Sequence, residues 1–383
     1  MPSLPFLHNF RVHLPRYWGT HEQTVQWLAA AHAQSEATLR SGEADFDKDA
    51  FRRQVERHIK RFGPSPQAVG GRRSDLGEFL DDRFEEKKLF PLHEKPEGAA
   101  MGQRMDAFAE IADAAFTGLY SDSNDDAPDE LLHITCTGYA SPSAGQKLVD
   151  QKKWHDHTHN THVYHMGCYA SLPAIRIAAG YLAASPKSTR CDLIHTEVCT
   201  LHLNPTRHDP EQLVVQSLFA DGHIRYSLSS SPAVSTGFEV LGFLERIIPD
   251  SLYDIGWIPG DFGMRMTLSR LVPDKIAAVL EPFLVSLASE CGLNRIDLNN
   301  AVYAVHPGGP RILDKVGEWL NLEPPQLAAS REILFERGNM SSATLPHIWE
   351  RILSNAEVHP DTLIVSLAFG PGLTIYGSLM RRI

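Results

Sequence analysis

Short apolar segments that run into turns rich in glycine or proline dominate the chain from about residue 130 onwards. The segments read LLHITCTG, HVYHMGCYA, DLIHTEVC, AVYAVHPGGP and LIVSLAFGPG. A short apolar run without a polar face is typical of a strand buried on both sides, and several of these runs are followed by helical spacing. The pattern therefore predicts a mixed α/β architecture.

The length of the chain bounds its domain organisation. With 383 residues, the protein fits one large domain or two of ordinary size. The sequence contains no short repeat, low-complexity tract or obvious linker. We therefore expect two halves, residues 1–230 and 231–383, that pack on each other as one body.

Charge, hydropathy and cysteine content argue against several classes of protein. A formal net charge of -11 disfavours a sequence-independent nucleic-acid binder, whose affinity comes mainly from basic residues on phosphates. No window approaches the roughly 18 uncharged apolar residues of a membrane span, and the first residues lack the continuous apolar region of a secretory signal. Five scattered cysteines leave one unpaired in any disulfide scheme. We expect a cytoplasmic protein with free thiols.

One cysteine lies between a strand-like and a helix-like stretch, in THVYHMGCYASLPAIRIAAGYL. If Cys168 stands at the N-terminus of the helix, unpaired N–H groups and the helix dipole favour its thiolate. Pro173 would disturb a helix that began at Cys168, and a later start would weaken this effect. From the local sequence alone, Cys168 is either an activated nucleophile or an inert buried thiol.

A nucleophilic cysteine needs a base within reach, often with an amide or carboxylate beside it. AVYAVHPGGP carries His306 from the end of an apolar strand into a turn, where it is either exposed to a site or a satisfied structural histidine. RGNMSSATLP places Asn339 after the helix stop at Gly338 and before the cap of the next helix. Such an asparagine is either a turn residue or a partner of the cysteine.

A basic stretch near the N-terminus has two interpretations. It contains Arg52, Arg53, Arg57, Lys60, Arg61, Arg72 and Arg73. One interpretation is a solvated helix face. The other is a binding site for the phosphates of coenzyme A or for an acidic carrier protein, with Arg57, Lys60 and Arg61 as the candidate contacts.

Four motifs connect the second two thirds of the chain to a known family. They are GCYA (167–170), YAVHPGGPRILD (303–314), GNMSSAT (338–344) and FGPGLT (369–374). In this order and spacing they resemble the type III polyketide synthases, the chalcone synthase-like ketosynthases. The segments CTGYASPSAG, HTEVCTLHL and QSLFADG add weaker similarity, whereas the first 120 residues match only loosely.

This resemblance implies a thiolase fold, five layers (αβαβα) made of two similar α/β halves, in a homodimer whose buried active site ends a tunnel. It assigns the family's nucleophile to Cys168, its histidine to His306 and its asparagine to Asn339. Cys168 would accept an acyl group from a thioester, and the other two would stabilise the enolate of a second thioester. No metal or redox cofactor is required, since the substrates arrive on coenzyme A or on the phosphopantetheine of an acyl carrier protein.

Further positions follow from the same resemblance. The loop that scaffolds the cavity wall matches Gly370, Pro371 and Gly372. Where the plant enzymes place two phenylalanines between tunnel and cavity, this chain aligns His202 or Leu203 and Met266. Because methionine adapts to irregular apolar shapes, we expect a cavity for aliphatic chains.

The stretch before the nucleophile is rich in histidine. WHDHTHNTHVYH carries His155, His157, His159, His162 and His165. Alternating histidines can bind a metal, but strand alternation would divide them between two faces and the family requires none. We expect no metal site there, and the sequence does not define another role for the histidines.

The resulting expectation is a ketosynthase that joins acyl thioesters by Claisen condensation. Similarity to the stand-alone ketosynthases of pyrone-antibiotic pathways suggests that it joins two carrier-bound β-ketoacyl chains and releases an α-pyrone. The alternative within the family extends a long-chain acyl-CoA with malonyl-CoA to an alkylpyrone or alkylresorcinol. A papain-like hydrolase is disfavoured because its cysteine lies near the mature N-terminus. A non-catalytic partner subunit is disfavoured because such partners usually lose the nucleophile.

Overall fold

The computed structural model describes residues 5–122, 125–185, 187–230 and 234–383. Its strands are β1 (Phe6–His13), β2 (Tyr17–Thr20), β3 (Gly71–Ser74), β4 (Glu130–Thr135), β5 (His159–Tyr164), β6 (Arg190–Val198), β7 (Asp221–Ser229), β8 (Phe238–Ile247), β9 (Ile255–Gly260), β10 (Gly263–Leu268), β11 (Val302–Val305), β12 (Leu363–Gly370) and β13 (Thr374–Arg382). Its α-helices are α1 (His21–Leu39), α2 (Lys48–Phe62), α3 (Met101–Leu119), α4 (Ala144–Lys152), α5 (Ser171–Ala184), α6 (Pro210–Leu218), α7 (Val272–Glu290), α8 (Pro310–Leu320), α9 (Ala328–Arg337) and α10 (Thr344–Ser354). These elements confirm the predicted mixed α/β architecture.

Most of the strands form a nine-stranded sheet in the order β11-β12-β13-β8-β1-β7-β6-β4-β5. The parallel pair β4-β6 continues into the antiparallel strand β7, and the parallel pair β11-β12 continues in the same way into β13. The two halves therefore repeat one arrangement. They are joined where β1 pairs with β8, through Phe6 with Glu239 and Leu7 with Phe238.

Three hydrophobic cores within the described residues show how the layers stack. The central core packs α5 and α10 between the inner faces of both halves, with Ile175 and Trp349 fully buried. A second core covers the outer face of the N-terminal half with α1 and α3, and a third covers the outer face of the C-terminal half with α7 and α8. The order helix, sheet, helix, sheet, helix is the five-layered arrangement expected from the sequence.

Alternation along single strands explains why the strand segments read as continuous apolar runs. In β12, Ile364 and Ala368 belong to the central core, whereas Val365, Leu367 and Phe369 belong to the outer core. Both faces of the strand are buried. Polar residues at every second position would therefore bury polar groups without hydrogen-bond partners inside the protein.

A local signal fixes the start of α1 in the N-terminal half. The side chain of Thr20 accepts a hydrogen bond from Gln23 N (3.1 Å), and Gln23 Oε1 accepts one from Thr20 N (2.8 Å). This capping box starts α1 at His21, and the helix ends at Leu39. No helix within the four described segments is long and apolar enough to cross a membrane. The predicted boundary between 230 and 231 adjoins residues 231–233, which lie outside the described residues, so it stays a prediction.

Candidate active site

Cys168 lies in the turn that leads from β5 into α5. The helix begins only at Ser171, so Pro173 occupies its first turn, where N–H groups lack a partner within the helix in any case. Cys168 is therefore outside the helix, and burial raises the pKa of its thiol to about 12. The later start weakens the effect of the helix dipole on this thiol, as expected from the sequence for that case.

Two side chains lie against the turn that contains Cys168. The hydroxyl oxygen of Ser341 is 3.9 Å from the sulfur of Cys168. The sulfur of Cys136 accepts a hydrogen bond from Gly167 N (3.0 Å), so it packs on the peptide that enters Cys168. The hydrogen bond from Gly167 N to the Cys136 sulfur restrains the backbone of this turn. The backbone, and not the side-chain rotamer of Cys168 alone, therefore sets the position of the Cys168 sulfur.

His306 extends β11 by one residue. Its backbone N donates to Leu367 O (2.8 Å), while its ring is only 1% exposed. Within the described residues neither ring nitrogen has a hydrogen-bond partner, and burial lowers the pKa of the imidazole to about 3. Buried polar groups are nearly always paired, so an imidazole with both nitrogens unused indicates a group kept for a ligand.

Asn339 is held by the backbone on both sides. Its N donates to Leu218 O (3.1 Å), and its O accepts from Ala220 N (2.8 Å). The side-chain Oδ1 accepts from Ser341 N (2.9 Å), which identifies the other end of the amide as Nδ2. The acceptor end is therefore occupied, and the two N–H groups of Nδ2 remain as donors.

Cys168, His306 and Asn339 line one cavity of about 480 Å³. The structure thus brings together three residues that are far apart in the sequence. The cavity is within the size range of small-molecule sites. Most of its remaining wall is apolar, formed by Val214, Leu218, Ile255, Leu268, Val272, Ile276, Ile312 and Phe369.

The loop after β12 packs directly on the turn that contains Cys168. An ideal Cβ on Gly370 would lie 2.1 Å from Tyr169 Cδ1, and one on Gly167 would lie 2.3 Å from Pro371 Cδ. Only glycine allows these approaches. Gly370 and Pro371 line the cavity, whereas Gly372 does not and takes the left-handed conformation at φ 72°.

His202 and Leu203 do not face Cys168. They line a second cavity of about 350 Å³ instead. Both ring nitrogens of His202 are engaged, since Nε2 donates to Thr137 O (2.7 Å) and Nδ1 accepts from Met264 N (3.1 Å). The structure corrects the prediction that these two residues contact substrate beside Cys168, because His202 is a structural link between loops.

Met266 lies in the wall between the two cavities, together with Cys199, Phe219 and Trp257. Sequence reasoning missed both aromatic residues. Phe219 lies between α6 and β7 in QSLFADG, one of the segments that resemble the family. The sequence could therefore have identified Phe219 as a candidate residue of the site. Trp257 lies in the β9–β10 hairpin, which carries none of the recognised motifs.

A group of arginines surrounds the opening of the Cys168 cavity. Arg61, Arg270 and Arg311 all line it and are all exposed. Within the described part of the chain none of the three forms an ion pair. The opening therefore has positive charge that is available to an anionic ligand.

Of the basic residues predicted to bind the carrier, only Arg61 reaches the cavity. Lys60 is engaged by Glu22 (3.3 Å) and Glu56 (2.7 Å) on the surface of the protein. Arg57 is exposed one turn before Arg61 on the same helix and does not line the cavity. Arg61, Arg270 and Arg311 thus line the cavity, whereas Arg57 and Lys60 do not.

A buried carboxyl group ties the two halves together behind the cavity. Glu197 accepts hydrogen bonds from Cys136 N (3.1 Å) and from the Thr137 hydroxyl (2.8 Å) at the end of β4. It also accepts from the hydroxyl and the backbone N of Ser342, within the GNMSSAT motif. Burial raises the pKa of Glu197, and these donors act in the opposite direction.

The histidine-rich stretch is divided among separate surroundings. His155 and His159 pair with acidic side chains at the surface, whereas His165 Nε2 donates to Trp257 O (2.8 Å). The residues that the structure describes contain no group of three histidine, cysteine or acidic side chains placed to hold a metal ion. Among the described residues, His165 therefore connects this stretch to the cavity wall through the backbone of Trp257.

The chain is similar to known proteins over most of its length. The models for the chalcone and stilbene synthases match it with their N-terminal domain at residues 113–232 and their C-terminal domain at 242–383. Type III polyketide synthase C of Arabidopsis thaliana is 29% identical over 259 residues, which is 66% of this chain and 67% of that protein. Probable polyketide synthase 1 of Dictyostelium discoideum is 28% identical over 258 residues, 66% of this chain but only 8% of that protein.

Solved structures show the fold. The C-terminal type III polyketide synthase domain of Steely1 from Dictyostelium has a TM-score of 0.81 at 22% identity, with 100% of both chains covered. The 1,3,6,8-tetrahydroxynaphthalene synthase of Streptomyces coelicolor A3(2) has a TM-score of 0.77 at 23% identity, covering 98% of this chain and 99% of that one. These matches confirm the predicted thiolase fold. By its family matches, the chain belongs to the chalcone and stilbene synthase family of type III polyketide synthases.

Proposed function

We propose that the protein is a ketosynthase that forms a polyketide by Claisen condensation of acyl thioesters, with Cys168 as the acyl carrier. The observation that supports this most is the shared cavity of Cys168, His306 and Asn339. In it, the imidazole nitrogens are unpaired and the amide of Asn339 keeps its donor end. A nucleophile, a base and a second donor thus surround one space.

The first step is transfer of an acyl group to Cys168. Burial raises the pKa of the thiol to about 12 and lowers that of His306 to about 3, so neither charge is stable alone. When the thiol proton moves to the imidazole, two opposite charges form side by side and stabilise each other. The sulfur then attacks the thioester carbonyl, and the carrier thiolate leaves with the proton from His306.

The second step forms the carbon–carbon bond. A second thioester enters and becomes an enolate, either by loss of carbon dioxide or by transfer of a proton from its α-carbon to the imidazole of His306, which the first step leaves neutral. An N–H of the His306 ring and the Nδ2 of Asn339 donate hydrogen bonds to its carbonyl oxygen, where negative charge develops. The α-carbon attacks the acyl carbonyl, and the sulfur of Cys168 leaves as thiolate. These side chains supply the chemistry, so the proposal needs no metal or redox cofactor.

The substrates that fit this site are acyl chains on phosphopantetheine. The apolar walls suit an aliphatic chain, and the free arginines Arg61, Arg270 and Arg311 suit the phosphates of coenzyme A or of an acyl carrier protein. We propose two β-ketoacyl chains as substrates and an α-pyrone as product, formed when an enol oxygen attacks the remaining thioester. The alternative is extension of a long-chain acyl-CoA with malonyl-CoA.

We propose that two copies of the chain form the active protein in solution. β5 is the last strand of the sheet, with only β4 beside it, and His159 and His162 on it are exposed. An exposed edge strand is a ready template for pairing with another chain. Size-exclusion chromatography with light scattering should give twice the mass of one chain, and a monomer would contradict this.

Intact-protein mass spectrometry tests the function. The protein is incubated with β-ketoacyl and saturated acyl groups, each on coenzyme A and on an acyl carrier protein, and its mass is followed. A mass increase of one acyl group that is lost in Cys168→Ala is the expected result. No covalent acyl group on the wild type would refute the proposal. Carbon dioxide release with malonyl-CoA would favour the alternative substrates over two β-ketoacyl chains.

A further inference from the structure

His165 ends the histidine-rich stretch and begins the turn that contains Cys168. Its backbone N donates to Thr135 O (3.0 Å), so the residue extends the pairing of β5 with β4 by one position. Its φ is 61°, in the left-handed region that residues other than glycine seldom adopt. This conformation turns the chain out of the strand, three residues before the sulfur of Cys168. Such a conformation persists only where the surrounding contacts hold it.

Both ring nitrogens of His165 have partners. Nε2 lies 2.8 Å from Trp257 O, which can only accept, so Nε2 carries the proton and donates it. In the neutral ring Nδ1 is then the acceptor, and the hydroxyl of Tyr139 donates to it. Tyr139 is itself placed by its backbone N, which donates to the sulfur of Met105 (3.4 Å). The side chain of His165 is therefore held on two sides.

The contacts of His165 belong to a closed circuit around the turn. The indole Nε1 of Trp257 donates to Cys136 O (2.7 Å), and the sulfur of Cys136 accepts from Gly167 N (3.0 Å). The circuit thus leaves the turn at His165 and returns to it at Gly167, directly before Cys168. Because it passes through the end of β4 and through the β9–β10 hairpin, these segments and the turn cannot shift independently.

We propose that His165 is a positioning residue that fixes the sulfur of Cys168 against His306. The inference rests on the proposed function and adds to it a residue that does not line the cavity and acts through the turn. When the circuit opens at His165, the left-handed turn relaxes and the sulfur moves relative to the imidazole that takes its proton. A displacement of about 1 Å at a reacting group lowers the rate by about 100-fold.

Two amide side chains separate the two anchors of the His165 ring. The amide N of glutamine takes the place of Nε2 and donates to Trp257 O, so His165→Gln keeps the circuit closed. The shorter amide of asparagine reaches only as far as Nδ1, so His165→Asn tolerates the left-handed backbone but opens the circuit. We expect His165→Asn to acylate Cys168 about 10- to 100-fold more slowly than the wild type, and His165→Gln to recover most of this loss.

Two measurements distinguish positioning from a general loss of stability. In single-turnover acylation with an acyl-coenzyme A, the maximal rate of His165→Asn should fall while the half-saturating concentration stays within about twofold, since the cavity lining is unchanged. In alkylation of Cys168 by iodoacetamide, the pH profile of His165→Asn should move to higher pH, because His306 is no longer placed to take the thiol proton. A variant that only unfolds more easily would lose reactive protein without this shift.

His155→Asn is the matched control. His155 belongs to the same stretch, and its Nε2 lies 3.0 Å from Asp150 Oδ1 at the surface, where such a contact contributes little. The same substitution at this position should leave the acylation rate and the alkylation profile equal to those of the wild type. Equal rates and equal pH profiles in folded His165→Asn and in the wild type would overturn the proposal.

Tyr139→Phe covers the case in which His165→Asn does not fold. It removes only the hydroxyl that donates to Nδ1 of His165, so acylation should slow by about fivefold and the alkylation profile should shift in the same direction. An unchanged profile in folded Tyr139→Phe would then overturn the inference. If the wild type accepts no acyl group, the proposed function fails, whereas the alkylation profiles still report the position of the Cys168 sulfur.

Discussion

Replacement of Gly370 by alanine should damage the site through a single collision. Gly370 has φ -154° and ψ -169°, an extended conformation that any residue adopts, so alanine brings no backbone strain. Its Cβ would lie 2.1 Å from Tyr169 Cδ1, next to Cys168. Either the ring or the loop must move, and overpacking of this kind lowers the free energy of unfolding by about 1–3 kcal/mol.

The effect on acylation should be larger than the effect on stability. A displacement of about 1 Å at a reacting group costs about 100-fold in rate, and Tyr169 is the direct neighbour of the nucleophile. Rates of Cys168 acylation, followed by intact-protein mass spectrometry, should fall by about this factor in Gly370→Ala. Denaturant unfolding of the same samples gives the stability loss.

Gly180→Ala is the matched control for this substitution. Gly180 lies exposed in α5, the helix that follows Cys168, and its ideal Cβ has no described atom within 4 Å. Alanine in a helix interior is more stable than glycine by about 0.5–1 kcal/mol, so this variant should gain stability and keep its acylation rate. Equal stability and equal rates in Gly370→Ala and wild type would refute the reasoning about the collision.

Three other perturbations test the charges of the protein. In His306→Ala the imidazole can no longer take the proton, and burial raises the pKa of Cys168 to about 12. Alkylation of Cys168 by iodoacetamide at pH 7 should therefore slow by about tenfold or more and titrate at higher pH; an unchanged profile would argue against His306 as the base. Arg270→Ala should raise KM for acyl-coenzyme A about tenfold with a smaller change in kcat, whereas Arg57→Ala, which does not line the cavity, should change neither. Burial raises the pKa of Asp221 to about 6, above its unfolded value, so its contribution to stability is full below about pH 4 and is lost as pH rises through 6. Urea unfolding between these pH values should show this loss in the wild type and a flatter profile in Asp221→Asn.

The sequence was most informative where structure depends on local chemistry. Thr20 and Gln23 form the capping box that starts α1, and the buried apolar residues of α3 recur at helical spacing. The strand segments were recognisable because both of their faces are buried in this fold. The three cavity residues were identified through motifs, and the structure places them on one cavity.

The sequence was least informative where position depends on contacts between distant segments. His202 was expected at the cavity, but two backbone partners, Thr137 and Met264, hold its ring behind the wall. Trp257 could not be identified from the sequence, because its position in the wall between the two cavities depends on how the β9–β10 hairpin packs against two loops. The arginines at the opening come from separate helices and a loop, and no spacing within one segment can reveal such a group.

The repeated architecture explains why the cavity residues come from both halves of the chain. α5 and α10 occupy equivalent places in the central layer, and each is entered through a segment that carries a cavity residue, Cys168 before α5 and Asn339 before α10. The two entry segments meet where the Ser341 hydroxyl lies 3.9 Å from the sulfur of Cys168. Neither half alone holds both the proposed nucleophile and the proposed base, so we expect activity to depend on how firmly the halves are joined. Glu197 connects the end of β4 to the segment that enters α10, and a substitution there would act on catalysis through the relative position of the halves.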